Sequence, residues 1–281
     1  MLKSIIKGRK TAREHPAGRY AVELRELGVQ FNSHPALESL SLQIEPGLRV
    51  AVVGPNGAGK STLFNVLAGI LQPATGEVRV HGHLPAQHLC LAYVSQSTQI
   101  DWNFPVSVAD VVMMGRIGRM GLVRWPRRQD RRLVTESLER VGLIGLAQRQ
   151  ISELSGGQKQ RMFIARALAQ QADLLLLDEP MAGLDLPSQE QILNVLDALR
   201  DQGITVLVAT HDLDLAAEHS DRILLLNRRL IAYGTQQEVL TVENLSLAYG
   251  GHMQAVDTKE GKLLIGDMGG HHGHDVEGRH G

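Results

Sequence analysis

The chain has a single cysteine, Cys90, which excludes an internal disulfide and fits a reducing compartment. Lying in the apolar run HLCLAYV, it reads as a small packed hydrophobe. Long hydrophobic runs are missing too: no stretch reaches the roughly 18 apolar residues needed to cross a bilayer. Any membrane role is therefore expected from the cytoplasmic side, through a partner. The opening segment MLKSIIKGRKTAREHPAGRY lacks the apolar core of a secretory signal, so none is expected. Net charge is almost absent, with 29 basic and 30 acidic residues giving −1; no global basic field argues for nucleic acid. No internal repeat of the whole unit is apparent. What is present is ordinary for a globular protein: 281 residues, 43% hydrophobic and 21% charged, enough to bury a sizeable core.

Residues 1–20 form a basic extension, with Lys3, Lys7, Arg9, Lys10, Arg13 and Arg19 against Glu14. It reads either as an arm for anionic lipid or a partner, or as a solvated end. From 21 to 53 the pattern is strand-like, ending in the valine-rich LRVAVVG, as a buried central strand should be. A helix is expected from Lys60 to about Ile70, followed by strands EVRVHG and LCLAYVSQ. Residues 107–172 read as helical. Strand DLLLLDEP, helix SQEQILNVLDALRDQG, strand ITVLVATH, helix DLDLAAEHS and strand RILLLN follow. This alternation implies an α/β fold with a mainly parallel sheet covered on both faces. The helical block, about 97–172, interrupts it and reads as an inserted subdomain. Past residue 250 the texture turns to glycine and histidine, with His252, His271, His272, His274 and His280. HHGHD there is either a transition-metal site or an incidental feature of a flexible tail.

The strongest local pattern is GPNGAGKST: Gly54, Pro55, Asn56, Gly57, Ala58, Gly59, Lys60, Ser61 and Thr62. It matches G-x-x-x-x-G-K-[ST] between a predicted strand and a predicted helix. Its glycines let backbone N–H groups wrap phosphate oxygens, backed by the helix dipole. Lys60 suits the β- and γ-phosphates, and the Ser61 hydroxyl suits Mg²⁺. Four leucines then deliver Asp178 to a strand end, where ligands bind in open α/β sheets. Asp178 is the candidate metal-side carboxylate and Glu179 the candidate general base. LSGGQKQR, from Leu154 to Arg161, sets a serine and two glycines ahead of the apolar helix MFIARALA. That is a second helix start with open amides.

LSGGQ resembles the signature motif of ABC (ATP-binding cassette) ATPases, and its neighbours agree in order and spacing over about residues 21–250. Gln96 resembles the Q-loop glutamine, Asp185 the D-loop aspartate and His211 the switch histidine. Phe31 resembles the adenine-stacking aromatic, although tyrosine is commoner there; only a hydroxyl is lost. The resemblance implies a RecA-like P-loop NTPase core with an N-terminal antiparallel β subdomain and an inserted α-helical subdomain. It implies ATP and Mg²⁺ as ligands, with Ser61, Gln96 and Asp178 on the metal. It also implies a head-to-tail homodimer in which Ser155, Gly156, Gly157 and Gln158 serve the partner's nucleotide. Glu179, His211 and Gln96 would carry hydrolysis.

The stretch DWNFPVSVADVVMMGR is similar to ATPases of manganese, zinc and iron importers fed by an extracytoplasmic metal-binding protein. The expected setting is the cytoplasmic face of the cell membrane, against polytopic permease subunits. Import of an iron chelate, haem or cobalamin is the alternative cargo. A non-transport ABC switch is the alternative class, but the two cassettes, coiled-coil insertion or basic patch typical of those chains are not evident. Trp102, Phe104 and Val106 read either as a groove for a permease helix or as packing inside the helical subdomain.

Overall fold

The computed structural model describes residues 20–32, 34–85, 91–96, 101–120, 125–250, 253–258 and 261–266, the last two as backbone only. Cys90, the basic arm 1–19 and the histidines of the tail lie outside the described residues.

Three strands are buried along their whole length: β3 (Arg49–Val53), β6 (Leu174–Asp178) and β7 (Thr205–Thr210). Each reads as an apolar run because both of its faces are covered. With β5 (Leu91–Val94), β8 (Arg222–Asn227) and β9 (Arg229–Gly234) they form a six-stranded sheet of order β5-β6-β7-β3-β8-β9. All neighbours are parallel except β8 and β9, which are antiparallel. A second, antiparallel sheet has the order β2-β1-β4, with β1 at Val22–Phe31, β2 at His34–Ile44 and β4 at Thr75–Val80. The fold is α/β, a P-loop NTPase core beside an antiparallel sheet.

Helix α1 (Lys60–Leu67) lies between the sheets, its Leu63, Phe64, Val66 and Leu67 buried in one core with Leu24, Leu40 and Leu176. It stops at Leu67, three residues short of the sequence expectation, because Gly69 takes φ +71°. The other sheet face carries α2 (Val108–Met114), α3 (Arg128–Arg140), α4 (Gly156–Ala169) and α5 (Leu186–Arg200). Val112, Leu138 and Ile164 form one apolar cluster with Leu175 and Val208 of the sheet. Inside it, Arg116 and Asp130 are about 95% buried and paired at 2.9 Å. The Arg116 guanidinium also donates to the Ala169 carbonyl at 2.8 Å and to Gln171 Oε1 at 3.1 Å. This one side chain ties the end of α2 to the start of α3 and the end of α4.

Helix α6 (Leu213–His219) follows β7, and α7 (Gln236–Val239) and α8 (Val242–Tyr249) follow β9, all packed on β3 and β8. A hairpin of β10 (Met253–Thr258) and β11 (Gly261–Gly266) comes last. The sequence reading missed β9, α7, α8, β10 and β11. β9 is a half-exposed edge strand reached through a turn without glycine, Arg228 taking φ +56°; nothing in NRRL announces it.

Candidate nucleotide-hydrolysis site

The phosphate loop leaves the C-terminal end of β3 at Gly54. A Cβ there would sit 2.0 Å from the Leu226 carbonyl oxygen. At Gly59, φ +97°, a Cβ would meet Leu37 Cδ2 at 2.6 Å and the Ala36 carbonyl at 2.7 Å. Glycine is therefore required at both positions by contact. The loop is also braced from below: the Arg228 N–H donates to the Ala58 carbonyl at 2.8 Å, and the Glu38 N–H donates to the Arg228 carbonyl at 2.7 Å. Gly59 caps α1 without any side-chain hydrogen bond, and no acid stands in the first turn. The first-turn amides and the positive helix end are thus free of a side-chain cap, the arrangement an anion needs.

Lys60 Nζ donates to the carbonyls of Gly54 at 2.7 Å and Pro55 at 3.2 Å, which holds the ammonium over the loop. Burial lowers its pKa, opposed by the charges of Glu179 and Asp178. Loop, lysine, Ser61, Thr62, Gln96, Asp178, Glu179 and Phe31 line a cleft of about 290 Å³. Lys60→Ala removes the ammonium held over the loop. Nucleotide affinity is expected to fall about ten- to a hundredfold, the worth of a charge-assisted hydrogen bond. Titration with a fluorescent ATP analogue checks this; unchanged binding would contradict the cradle.

The carboxylates reach the same sheet edge because β6 and β7 lie beside β3 and run parallel to it. Asp178 ends β6 and is about 95% buried. Tyr93 of β5, whose ring meets Phe64 edge-on, directs its hydroxyl to Asp178 Oδ2 at 3.4 Å. Burial first, and then the Asp178 charge, push the Tyr93 phenol well above its ordinary value. It therefore stays protonated and donates. Ser61, Gln96 and Asp178 also border a second cavity of about 530 Å³ beyond the first. A hydroxyl, an amide and a buried carboxylate lining the same two cavities offer hard oxygen donors, a set whose chemistry fits Mg²⁺.

Glu179 adopts φ +50°, a left-handed conformation rare for a side chain of its size and characteristic of functional sites. Its N–H is fixed by the Ala209 carbonyl of β7 at 3.0 Å. Its Oε2 lies 3.0 Å from His211 Nδ1, and the imidazole itself is mostly exposed. An ionised carboxylate can only accept, so the hydrogen of this contact sits on His211 Nδ1.

The other motif residues lie elsewhere. Ser155 caps α4 in a reciprocal box with Gln158: its Oγ accepts from the Gln158 N–H at 3.3 Å, and its N–H donates to Gln158 Oε1 at 3.0 Å. Gly157 abuts Ser188 of α5, where a Cβ would come within 2.5 Å of the Ser188 hydroxyl oxygen. Asp185 stands exposed at the α5 N-cap with no side-chain capping bond. Neither Ser155, Gly156, Gly157, Gln158 nor Asp185 lines the cleft. Trp102 packs edge-on to Phe163 at 6.0 Å with Lys159 Nζ 4.1 Å from its ring centre, and Val106 joins the same cluster. Phe104 alone of that trio is exposed. Two features escaped the sequence reading: the Tyr93 donor and the Arg228 brace. Strand alternation through LAYV, which puts Tyr93 opposite Val94, was the available signal for the first; the second is backbone only.

A glycine-rich loop shaped for phosphate, with the carboxylates of Asp178 and Glu179 lining the same cleft, is the arrangement of a P-loop nucleotide hydrolase. Known proteins narrow the class. The family described as ABC transporter matches residues 37–182. A manganese transport system ATP-binding protein of Synechocystis is 50% identical over 223 residues, 78% of this chain and 86% of that protein. A zinc transport system ATP-binding protein of Treponema pallidum is 43% identical, over 86% of this chain and 91% of that one. A solved inward-facing ABC transporter of metal-chelate type is similar with TM-score 0.76 and 32% identity, covering 88% of this chain and 97% of that one. The chain belongs to the ABC transporter family, as one of its ATP-hydrolysing subunits. No helix among the described residues is long and apolar enough to cross a membrane.

Proposed function

We propose that this chain hydrolyses ATP to energise a membrane importer of manganese or zinc, with iron as the further candidate cargo. The observation that carries the cargo reading is the similarity to manganese and zinc subunits over most of their length. In this reading the loop amides and Lys60 hold the β- and γ-phosphates, and Phe31 stacks on adenine. Ser61, Asp178 and Gln96 would hold Mg²⁺, which supplies charge neutralisation to the phosphates. Glu179 takes the proton of the attacking water, and His211 orients that carboxylate.

Ser155, Gly156, Gly157, Gln158 and Asp185 lie outside their own cleft. That supports a head-to-tail pair of copies in which they complete the partner's site. The setting is the cytoplasmic membrane face, with polytopic permease subunits and, beyond the membrane, a metal-binding protein. Import of an iron chelate is the second reading, favoured by the metal-chelate neighbour.

Total manganese, zinc and iron should be measured by mass spectrometry in metal-limited cells carrying either wild-type chain or Glu179→Gln. A selective fall in one metal is expected and names the cargo. All three unchanged, in cells lacking other importers, would remove the free-ion reading and direct the test to chelates.

A further inference from the structure

The net charge of −1 conceals a local excess. Residues 116–132, RIGRMGLVRWPRRQDRR, hold seven arginines and one acid. The structure separates these arginines by role. Arg116 is buried, and it draws the segment's only acid, Asp130, inward at 2.9 Å. Arg127, Arg128 and Arg131 are exposed, and none forms an ion pair among the described residues. They crowd the first turn of α3, where cations oppose the helix dipole. Arg127 faces the charge of Asp130, but helix stability does not account for Arg128 and Arg131. Beside them Trp125 is 76% exposed, more than any other large hydrophobic residue described. The Arg116–Asp130 pair brings the turn bearing exposed Ile117 against the same end of α3.

Unpaired arginines around a protruding tryptophan and an aliphatic side chain are the composition of a membrane-interface contact. The guanidinium groups meet lipid phosphates, and the amphipathic indole sits at headgroup depth. We propose that this face of the helical block, centred on Trp125, Arg127, Arg128 and Arg131, rests on an anionic phospholipid surface. The inference stands apart from the transport reading, since it requires neither nucleotide nor permease.

The test is flotation of the full purified chain with phosphatidylcholine vesicles, with and without 30% phosphatidylglycerol (about that fraction suffices for a negative surface). Binding only to the anionic vesicles is expected, weakening as salt shortens the Debye length. Arg128→Gln and Arg131→Gln should each weaken it about fivefold. Trp125→Phe should abolish a lipid-induced blue shift of tryptophan emission, separating indole insertion from charge attraction; the remaining signal belongs to Trp102. ATP hydrolysis in solution, unaltered in these variants, verifies that they are folded. Equal binding to both vesicle types, or anionic binding unchanged in the double arginine variant, would overturn the assignment. So would tighter binding to a short DNA duplex than to the anionic vesicles.

Discussion

Replacing Glu179 by glutamine is expected to lower ATP turnover by roughly two to four orders of magnitude while ATP binding persists. The amide is nearly isosteric with the carboxylate but cannot take a proton. The left-handed backbone at Glu179 and its bond to the Ala209 carbonyl belong to the main chain, so the substitution leaves both in place. His211 Nδ1, which donates to Glu179 Oε2 at 3.0 Å, keeps an oxygen to donate to. The cleft should therefore retain its shape and lose only its base. Single-turnover hydrolysis beside equilibrium binding separates the two effects. Turnover within tenfold of wild type would remove Glu179 as the base.

Arg116→Ala should be the most destabilising of the substitutions considered, by about 3–5 kcal/mol, the cost of breaking a buried ion pair. It strips the partner from a buried carboxylate and a donor from the Ala169 carbonyl, and it removes the polar tie that joins α2, α3 and α4 beside their shared apolar core. For a chain of this size each kcal/mol is worth about 2–4 °C in Tm. Thermal unfolding by circular dichroism checks the shift, and a loss under about 1 kcal/mol would contradict it. A well-packed apolar pair, Arg116→Met with Asp130→Leu, should recover much of the loss, because the pair's own desolvation cost disappears with it. The pair also has a pH signature. Burial alone would raise the Asp130 carboxyl, but the Arg127 N–H and the Arg116 guanidinium outweigh it and hold it below the ordinary carboxylate range. A lowered folded-state pKa means the contribution is complete above the unfolded value of about 3.9 and fades as pH falls through the folded one.

The central strands and the phosphate loop were legible because burial on both faces leaves an unmistakable apolar run, and because glycine spacing around Lys60 has few other uses. α5 begins at Leu186 rather than at Ser188 because Pro187 is accepted in a first turn, where its missing N–H costs nothing. Trp102 and Val106 were ambiguous from sequence, since an aromatic beside a loop packs or protrudes according to tertiary context; here they pack against Phe163 and its neighbours. The C-terminal elements were illegible for a different reason. α7 has only four residues, too few for periodicity to declare itself, and α8 is announced by little more than Thr241, whose hydroxyl accepts from the Asn244 N–H. Alternation through LAYV gives the face of Tyr93, but its partner Asp178 follows only from the pairing of β5 with β6, which sequence separation hides.

The turn between β8 and β9 touches more than the phosphate loop. Asn227, next to the bracing Arg228, donates its side-chain amide to the Ala248 carbonyl at 2.8 Å, on the last turn of α8. Strain applied after Gly250 thus has a short mechanical route inward: along α8, through one side-chain amide, and across one peptide to the carbonyl of Ala58. A load on α8 would therefore reach the backbone beneath the glycine loop through two hydrogen bonds.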